Sequence, residues 1–183
     1  HDVSAWKFRI VRDGDTLPLG ARTLKFVDTP MAHWPESMAT WLPEEALLFS
    51  MDAFGQHYAS SGRFDETEPF DILMRETKSY YANILMPYGA STAKAMDSVS
   101  GLDIEMIATS HGVIWRSHIP QILEAYTRWT SGRPQPKVIV LYDTMWESTA
   151  AMARGVRMRK RLLRSLPSGL ADVSTLPPST ARS

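Results

Sequence analysis

The feature that most constrains the fold is a polar residue placed after each of three strand-like segments. His33 follows RTLKFVDT, Asp52 follows ALLFSM and His111 follows IEMIAT. In layered α/β folds, the loops after the carboxyl ends of strands converge on one edge of the sheet, and sites are built there. We therefore expect a layered α/β fold in which these three side chains lie close together.

Two imidazoles and one carboxylate form a possible ligand set for a metal ion. Without a thiolate, this set suits iron, zinc or manganese rather than copper(I) or an iron–sulfur cluster. The residues alone leave the question open, because a single histidine after a strand is more often a structural hydrogen-bonding residue than a ligand. The spacing adds little, since the chain contains no H-x-x-x-H or H-x-H pattern.

The composition limits the class of protein. Hydrophobic residues make up 44% of the 183 residues and charged residues 22%, as in globular proteins. The 20 Lys and Arg residues balance the 20 Asp and Glu residues, so the net charge indicates no nucleic-acid or membrane partner. The chain has no cysteine and no apolar run of the roughly 18 residues that a membrane span needs, so we predict a cytoplasmic location.

Strands and helices are predicted from the period of the apolar residues. Strand-like runs occupy residues 6–11, 22–29, 46–51, 104–109 and 137–143, with RDGDTLPLG as a turn between the first two. Helical spacing occupies residues 68–88, 91–99, 119–129 and a stretch that opens near Ser148. The segment TSGRPQPK, rich in polar residues, Gly and Pro, is the best linker in the chain.

Basic residues are concentrated near the C-terminus, where no further strand pattern is found. Between residues 154 and 182 only Asp172 is acidic, against Arg154, Arg157, Arg159, Lys160, Arg161, Arg164 and Arg182. We predict disorder after Gly155, with room for one or two more helical turns.

The loop YDTMWEST lies between a predicted buried strand and a helix start. It offers the hydroxyls of Thr144, Ser148 and Thr149 together with the free N–H groups of a helix N-terminus, which suit a phosphate. It matches no glycine-rich phosphate loop, so the residues alone favour an ordinary helix capped by Ser148.

Four segments together resemble the flavodiiron proteins, also called A-type flavoproteins, a family that includes rubredoxin:oxygen oxidoreductase. The segments are TPMAHWPESMATWLPEEALLFSMDAFGQH, SYYANILMPYG, SHGVIWR and VIVLYDTMWESTAAMAR. They follow the order of the family from about residue 6 to residue 154, and the agreement of four separate motifs makes the resemblance specific.

The resemblance implies two α/β domains. Residues 1–131 would be the C-terminal part of a metallo-β-lactamase-like αββα sandwich that holds a non-haem di-iron centre. A linker at 132–136 would lead to the first strand–helix unit of a flavodoxin-like, doubly wound FMN domain at 137–155. Residues 156–183 would form a divergent basic tail, predicted to be disordered.

The resemblance also assigns site residues. His33 and His111 would each bind one of two iron ions per subunit, and Asp52 would bridge the two ions. A bridging carboxylate offsets the charge of two close cations and leaves positions open for O2 or NO. The FMN phosphate loop would consist of Thr144, Met145, Trp146, Glu147, Ser148 and Thr149. Supporting or packing roles fall to Trp34, His57 and Trp115, whereas His1 and His118 are expected on the surface.

One departure from the family bears on these assignments. The H-x-E-x-D-H run that supplies most of the remaining ligands in the family does not occur in this sequence. Three ligands do not complete two iron sites, so we expect the sequence to be a fragment of a longer chain.

The resemblance implies an oxidoreductase that passes electrons from rubredoxin or a similar donor through FMN to the di-iron centre. That enzyme would reduce O2 to water or NO to N2O, and it would act as a homodimer or a higher homo-oligomer. Two alternatives are a metal-dependent hydrolase of the metallo-β-lactamase fold and an inactive truncated chain.

Overall fold

The structure is a computed structural model that describes residues 3–133 and 139–163. The chain divides into two compact units, His1–Gly132 and Arg133–Ser183. The first unit contains a mixed sheet with helices packed on it, and the described residues of the second include one helix.

Five short strands of the first unit form one sheet in chain order. They are β1 (Thr16–Leu19), β2 (Arg22–Asp28), β3 (Met38–Leu42), β4 (Leu47–Phe49) and β5 (Met106–Ala108). Neighbours from β1 to β4 are antiparallel, whereas β4 and β5 are parallel, with Leu48 opposite Ile107 at the buried centre. Since a parallel pair needs a long crossover, the chain between β4 and β5 has room for two helices.

The helices are α1 (Phe70–Tyr80), α2 (Gly89–Val99), α3 (Ile119–Thr130) and α4 (Ser148–Leu163). Residues 68–88, predicted as one helix, form α1, a π-helical turn at Tyr81–Leu85 and a 3-10 turn at Met86–Tyr88. The break is local in origin, because Pro87 has no N–H to donate to a continuous α-helix.

Apolar spacing explains how the helices pack. The buried residues of α1 are Leu73, Thr77 and Tyr80, which recur every three or four positions on one face. The buried residues of α3 have the same spacing: Ile119, Ile122, Ala125 and Tyr126. Both faces join one core with the central strands, so the helices hold the loops at the strand ends in place.

Two predicted strands do not form. Residues 6–11 carry the exposed side chains of Trp6, Phe8 and Ile10, and residues 139–143 include Leu141, which is 85% exposed. Neither segment pairs with a strand in the described part of the chain, and a strand without a partner leaves its hydrogen-bonding groups to solvent. Residues 137 and 138, which belong to the second predicted strand, lie outside the described ranges.

Two strands of the sheet were not predicted. β1 was assigned to the turn RDGDTLPLG because of its Gly and Pro residues, and β3 has no alternating pattern. Helix α4 continues past Gly155 to Leu163, which takes up the further helical turns that the sequence allowed. Residues 164–183, the rest of the basic tail, lie outside the described ranges.

Among the described residues, no helix has both the length and the apolar character needed to cross a bilayer. The cytoplasmic location stays a prediction.

Candidate metal centre

The side chains of His33, Asp52 and His111 meet, as the sequence predicted. The Nε2 atom of His33 lies 3.2 Å from Oδ2 of Asp52, and the Nε2 atom of His111 lies 3.4 Å from Oδ1 of the same carboxylate. The Asp52 side chain is only 10% exposed, whereas the side chain of His111 is 51% exposed. One sheltered carboxylate thus lies between two imidazoles, with one oxygen facing each.

A tight loop after β2 presents His33. The backbone N–H of Thr29 donates to the carbonyl oxygen of Ser37 at 3.0 Å, which closes the loop. The hydroxyl of Ser37 lies 3.2 Å from that of Thr29 and donates to the carbonyl oxygen of Ala32 at 3.1 Å. These bonds hold the backbone on both sides of His33.

The loop that carries Asp52 is held by its own hydroxyl and by two distant aromatic residues. The hydroxyl of Ser50 donates to the carbonyl oxygen of Ala53 at 2.8 Å. The N–H of Phe54 donates to the Tyr126 hydroxyl at 2.7 Å, and the carbonyl oxygen of Phe54 accepts the indole N–H of Trp115 at 2.8 Å. Trp115 is fully buried, so the packing role predicted for it is confirmed.

The loop that carries His111 packs closely against the Asp52 loop. The N–H of Ser110 donates to the carbonyl oxygen of Met51 at 2.8 Å, and the N–H of Gln56 donates to that of His111 at 3.1 Å. Gly112 has φ +86°, and a Cβ atom there would meet Oε1 of Gln56 at 2.0 Å. Glycine is therefore required at position 112 both by its backbone angle and by the lack of space.

Aromatic residues surround the exposed imidazole. The ring of His57 lies 5.8 Å from that of His111 and 4.7 Å from that of Tyr80, measured between centroids. The centroid of the Trp34 ring lies 5.3 Å from the centroid of the His33 ring. His57 and Trp34 thus lie beside the two histidines, and their supporting roles stay a prediction.

Tyr80 is the residue of this centre that the sequence analysis missed. Burial and the nearby charge of Asp52 raise the pKa of its phenol well above the ordinary value of 10. Its position in helical register with Leu73 and Thr77 indicated only a core residue. The signal that could have found it is its place in SYYANILMPYG, one of the segments that carry the family resemblance.

His118 differs from its predicted surface position. Its Nδ1 atom lies 2.8 Å from Oδ2 of the buried Asp65, and its ring stacks on Phe70 with centroids 4.3 Å apart. Through Asp65, His118 helps to fix the start of α3, and it is not part of the metal centre. His1 lies outside the described residues.

The donor set fits a carboxylate that bridges two cations, because each imidazole faces a different oxygen of Asp52. In residues 3–133 and 139–163, no group of three or more His, Asp or Glu side chains is arranged to hold one metal ion. The described residues therefore offer each cation one imidazole and one carboxylate oxygen, and a complete site would need more ligands than these.

In the second unit, the predicted FMN loop precedes α4. Its residues Met145 and Trp146 are 85% and 84% exposed, and Glu147 has φ +62°. The N–H of Thr144 donates to Oδ1 of Asp143 at 2.8 Å, whereas Oγ1 of Thr144 is buried and has no hydrogen-bond partner. Ser148 and Thr149 begin α4, where backbone N–H groups are free to bind an anion. The unpartnered hydroxyl and the helix start fit a phosphate group.

Comparison with known proteins decides the family. Residues 3–112 match the model of the family described as ODP family beta lactamase. The flavodiiron protein of Giardia intestinalis is 40% identical, with a TM-score of 0.79 over 85% of this chain. The chain belongs to the flavodiiron protein family. The resemblance noted from the four motifs is thereby confirmed, and so is the α/β, metallo-β-lactamase-like fold.

Two other flavodiiron relatives are similar to nearly the same part of the chain. Rubredoxin oxygen:oxidoreductase of Desulfovibrio gigas is 38% identical over 88% of this chain, with a TM-score of 0.78. The nitric oxide reductase of Moorella thermoacetica is 47% identical over 82% of this chain. The chain spans 38% to 41% of the length of these three flavodiiron relatives.

Proposed function

We propose that this chain contributes to the di-iron centre of an oxidoreductase that reduces O2 to water or NO to N2O. The observation that carries the proposal is the Asp52 carboxylate, which has one imidazole on each oxygen. The names of the relatives from Moorella thermoacetica and Desulfovibrio gigas support the same two gases.

In this proposal His33 and His111 would each hold one iron ion, and Asp52 would be the ligand that the two ions share. Bound iron would supply both redox chemistry and Lewis acidity. The zinc of a hydrolase would supply Lewis acidity but no redox chemistry. The Asp52 side chain is only 10% exposed, which limits its contact with water, and the Tyr80 phenol lies close enough to interact with its charge. The exposed side of His111 leaves room for a gas molecule to approach.

The phosphate of FMN is proposed to bind to the loop before α4, which consists of Thr144, Met145, Trp146, Glu147, Ser148 and Thr149. Bound FMN supplies a carrier for electrons that arrive from rubredoxin or a similar donor protein. The buried Oγ1 of Thr144 supports this assignment, because a phosphate oxygen would give it the partner it lacks.

The relatives are longer than this chain, so the donor protein, the homodimer and the complete reaction are proposed for the whole protein. The domain bounds 1–131 and 137–155 belong to the same proposal.

Iron binding tests the metal centre directly. Because these residues alone do not complete either iron site, the whole protein that contains this chain would be incubated anaerobically with Fe(II) and desalted, and its iron content measured by mass spectrometry. We expect two iron ions per chain, one fewer in His33→Ala or His111→Ala, and none in Asp52→Asn. Asp97→Asn, which changes an exposed carboxylate on α2, serves as the matched control. A wild-type chain without iron, or an Asp52→Asn chain with full iron, would contradict the proposal.

FMN binding is a separate measurement. We expect quenching of FMN fluorescence on titration with the whole protein that contains this chain, with weaker binding in Thr144→Val. Thr127→Val removes an exposed hydroxyl on α3 and should leave FMN binding unchanged. Equal affinity in the two variants would remove Thr144 from the site. Gas consumption by the loaded protein with a reduced donor would then decide between the oxidoreductase and a hydrolase.

A further inference from the structure

A cavity lies between α2 and the sheet, beside the loops that carry the metal-ligand candidates. Its volume is about 20 Å³, which is room for one small molecule, and it is partly open to solvent. The space results from small side chains on four different segments: Ala32, Ala39, Ala53 and Ala95. Two of these alanines are directly bonded to His33 and Asp52, so one end of the cavity is formed by the loops of the metal centre.

The lining of the cavity is mostly apolar. Leu48 and Phe54 contribute buried aliphatic and aromatic surface, and Met96 and Val99 contribute the face of α2. Three hydroxyls reach the wall, on Thr29, Ser50 and Thr92, and each already bonds to the protein. Thr92, for example, donates to the carbonyl oxygen of Tyr88 at 3.1 Å.

These contacts leave few free hydrogen-bonding groups to hold an ordered water molecule in the cavity. A buried water needs two to four polar partners, whereas cavities with apolar walls stay dry and take up apolar molecules such as xenon. An empty space also lowers stability, because the atoms around it lose dispersion contacts. A small apolar molecule would restore those contacts without needing a hydrogen bond.

We propose that this cavity is a binding site for an apolar diatomic gas, next to the His33–Asp52–His111 cluster. The identity of the gas as O2 or NO rests on the proposed function, whereas the site itself rests on the size, the lining and the position of the cavity. A gas held there would contact Ala32 and Ala53, which line the cavity and are the chain neighbours of His33 and Asp52. The cavity would raise the local concentration of a substrate that offers no charge for electrostatic attraction.

Xenon is the probe, since it is inert, apolar and similar in size to a diatomic gas. Crystals of the full chain would be pressurised with xenon, and the occupancy between α2 and the sheet measured by diffraction. Ala95→Leu and Ala39→Leu fill the cavity from two sides. Ala90→Leu makes the same change at an exposed position of α2 that does not line the cavity. Thermal melts of all variants would verify folding.

We expect xenon in the cavity of the wild type and of Ala90→Leu. We expect that xenon to be lost in a cavity-filling variant that still folds. The first cavity-filling variant is Ala95→Leu, because position 95 is partly exposed and can accommodate a larger side chain. The second is Ala95→Met, because a methionine side chain adapts to irregular space. No xenon in the wild-type cavity, or unchanged xenon in the filled variants, would overturn the proposal. The readout needs neither iron nor FMN, so failure of gas reduction leaves it unaffected.

Discussion

The indole N–H of Trp115 donates to the carbonyl oxygen of Phe54 at 2.8 Å, across 61 residues of sequence. Phe54 lies two residues after Asp52, and its own N–H donates to the hydroxyl of Tyr126. Two aromatic side chains from the far part of the chain thus hold the loop of the bridging-carboxylate candidate. The placement of the Asp52 carboxylate therefore depends on core residues as well as on its own loop.

Trp115→Phe tests that bond. The substitution keeps an aromatic ring but removes one of two donors to the carbonyl oxygen of Phe54, which still accepts the Nε2–H of Gln56 at 2.9 Å. The loss of one hydrogen bond should lower the free energy of unfolding by about 0.5–1.5 kcal/mol. Urea denaturation measures the loss. Trp6→Phe, at a side chain that is 62% exposed, should change stability little. Equal effects of the two substitutions would show that the bond to Phe54 contributes nothing.

Gly55→Ala tests the close approach of the three segments at the centre. A Cβ atom at position 55 would lie 3.0 Å from the carbonyl oxygen of Asp52 and 3.3 Å from that of His111. We expect weaker iron binding and a loss of about 1–3 kcal/mol from overpacking, measured by metal titration and denaturation. Gly101→Ala has open space around it and should be neutral. Unchanged iron affinity in Gly55→Ala would argue against a metal position between these loops.

Asp65→Asn tests the anchor of α3. The fully buried carboxylate of Asp65 accepts backbone N–H bonds from Arg116, Ser117 and His118, all between 2.9 and 3.2 Å, at the start of the helix. An amide lacks the charge that favours these donors and the positive end of the helix dipole. We expect a loss of about 1.5–3 kcal/mol or more, the value for a hydrogen bond to a charged group. Asp97→Asn on α2 is the control, and a similar small effect in both would contradict this role.

The pH dependence of stability should show the Glu66–Arg116 ion pair. The hydrogen bond from Arg116 lowers the pKa of Glu66 from 4.5 to about 2. A lowered pKa in the folded state contributes stability above pH 4.5, and this contribution is lost as the pH falls from 4.5 toward 2. The melting temperature of the wild type should therefore exceed that of Glu66→Gln near pH 6, and the difference should shrink below pH 4.5. A difference that is constant with pH would exclude this carboxylate as its source.

The local pattern of the sequence was sufficient for the helices. The apolar spacing of residues 119–129 predicted α3 within one residue of its observed end at Thr130. Its periodicity is a property of neighbouring residues and needs no distant partner. The break near Pro87 was missed, although its cause is local, because the apolar spacing continues across it.

The strands were predicted less well, for a physical reason. A strand exists only when another strand satisfies its N–H and C=O groups, and the sequence does not reveal which partner is present. Residues 6–11 have a strand-like composition but no partner among the described residues, whereas Thr16–Leu19 contains a proline and pairs with β2.

The sequence by itself determined the family, the helix faces and the convergence of His33, Asp52 and His111. Those features depend on local spacing, on motifs and on the rule that strand ends meet at one edge of a sheet. Only the tertiary structure placed Tyr80 at the Asp52 carboxylate and left a space between α2 and the sheet. Both depend on contacts between residues far apart in the chain, which no local pattern encodes.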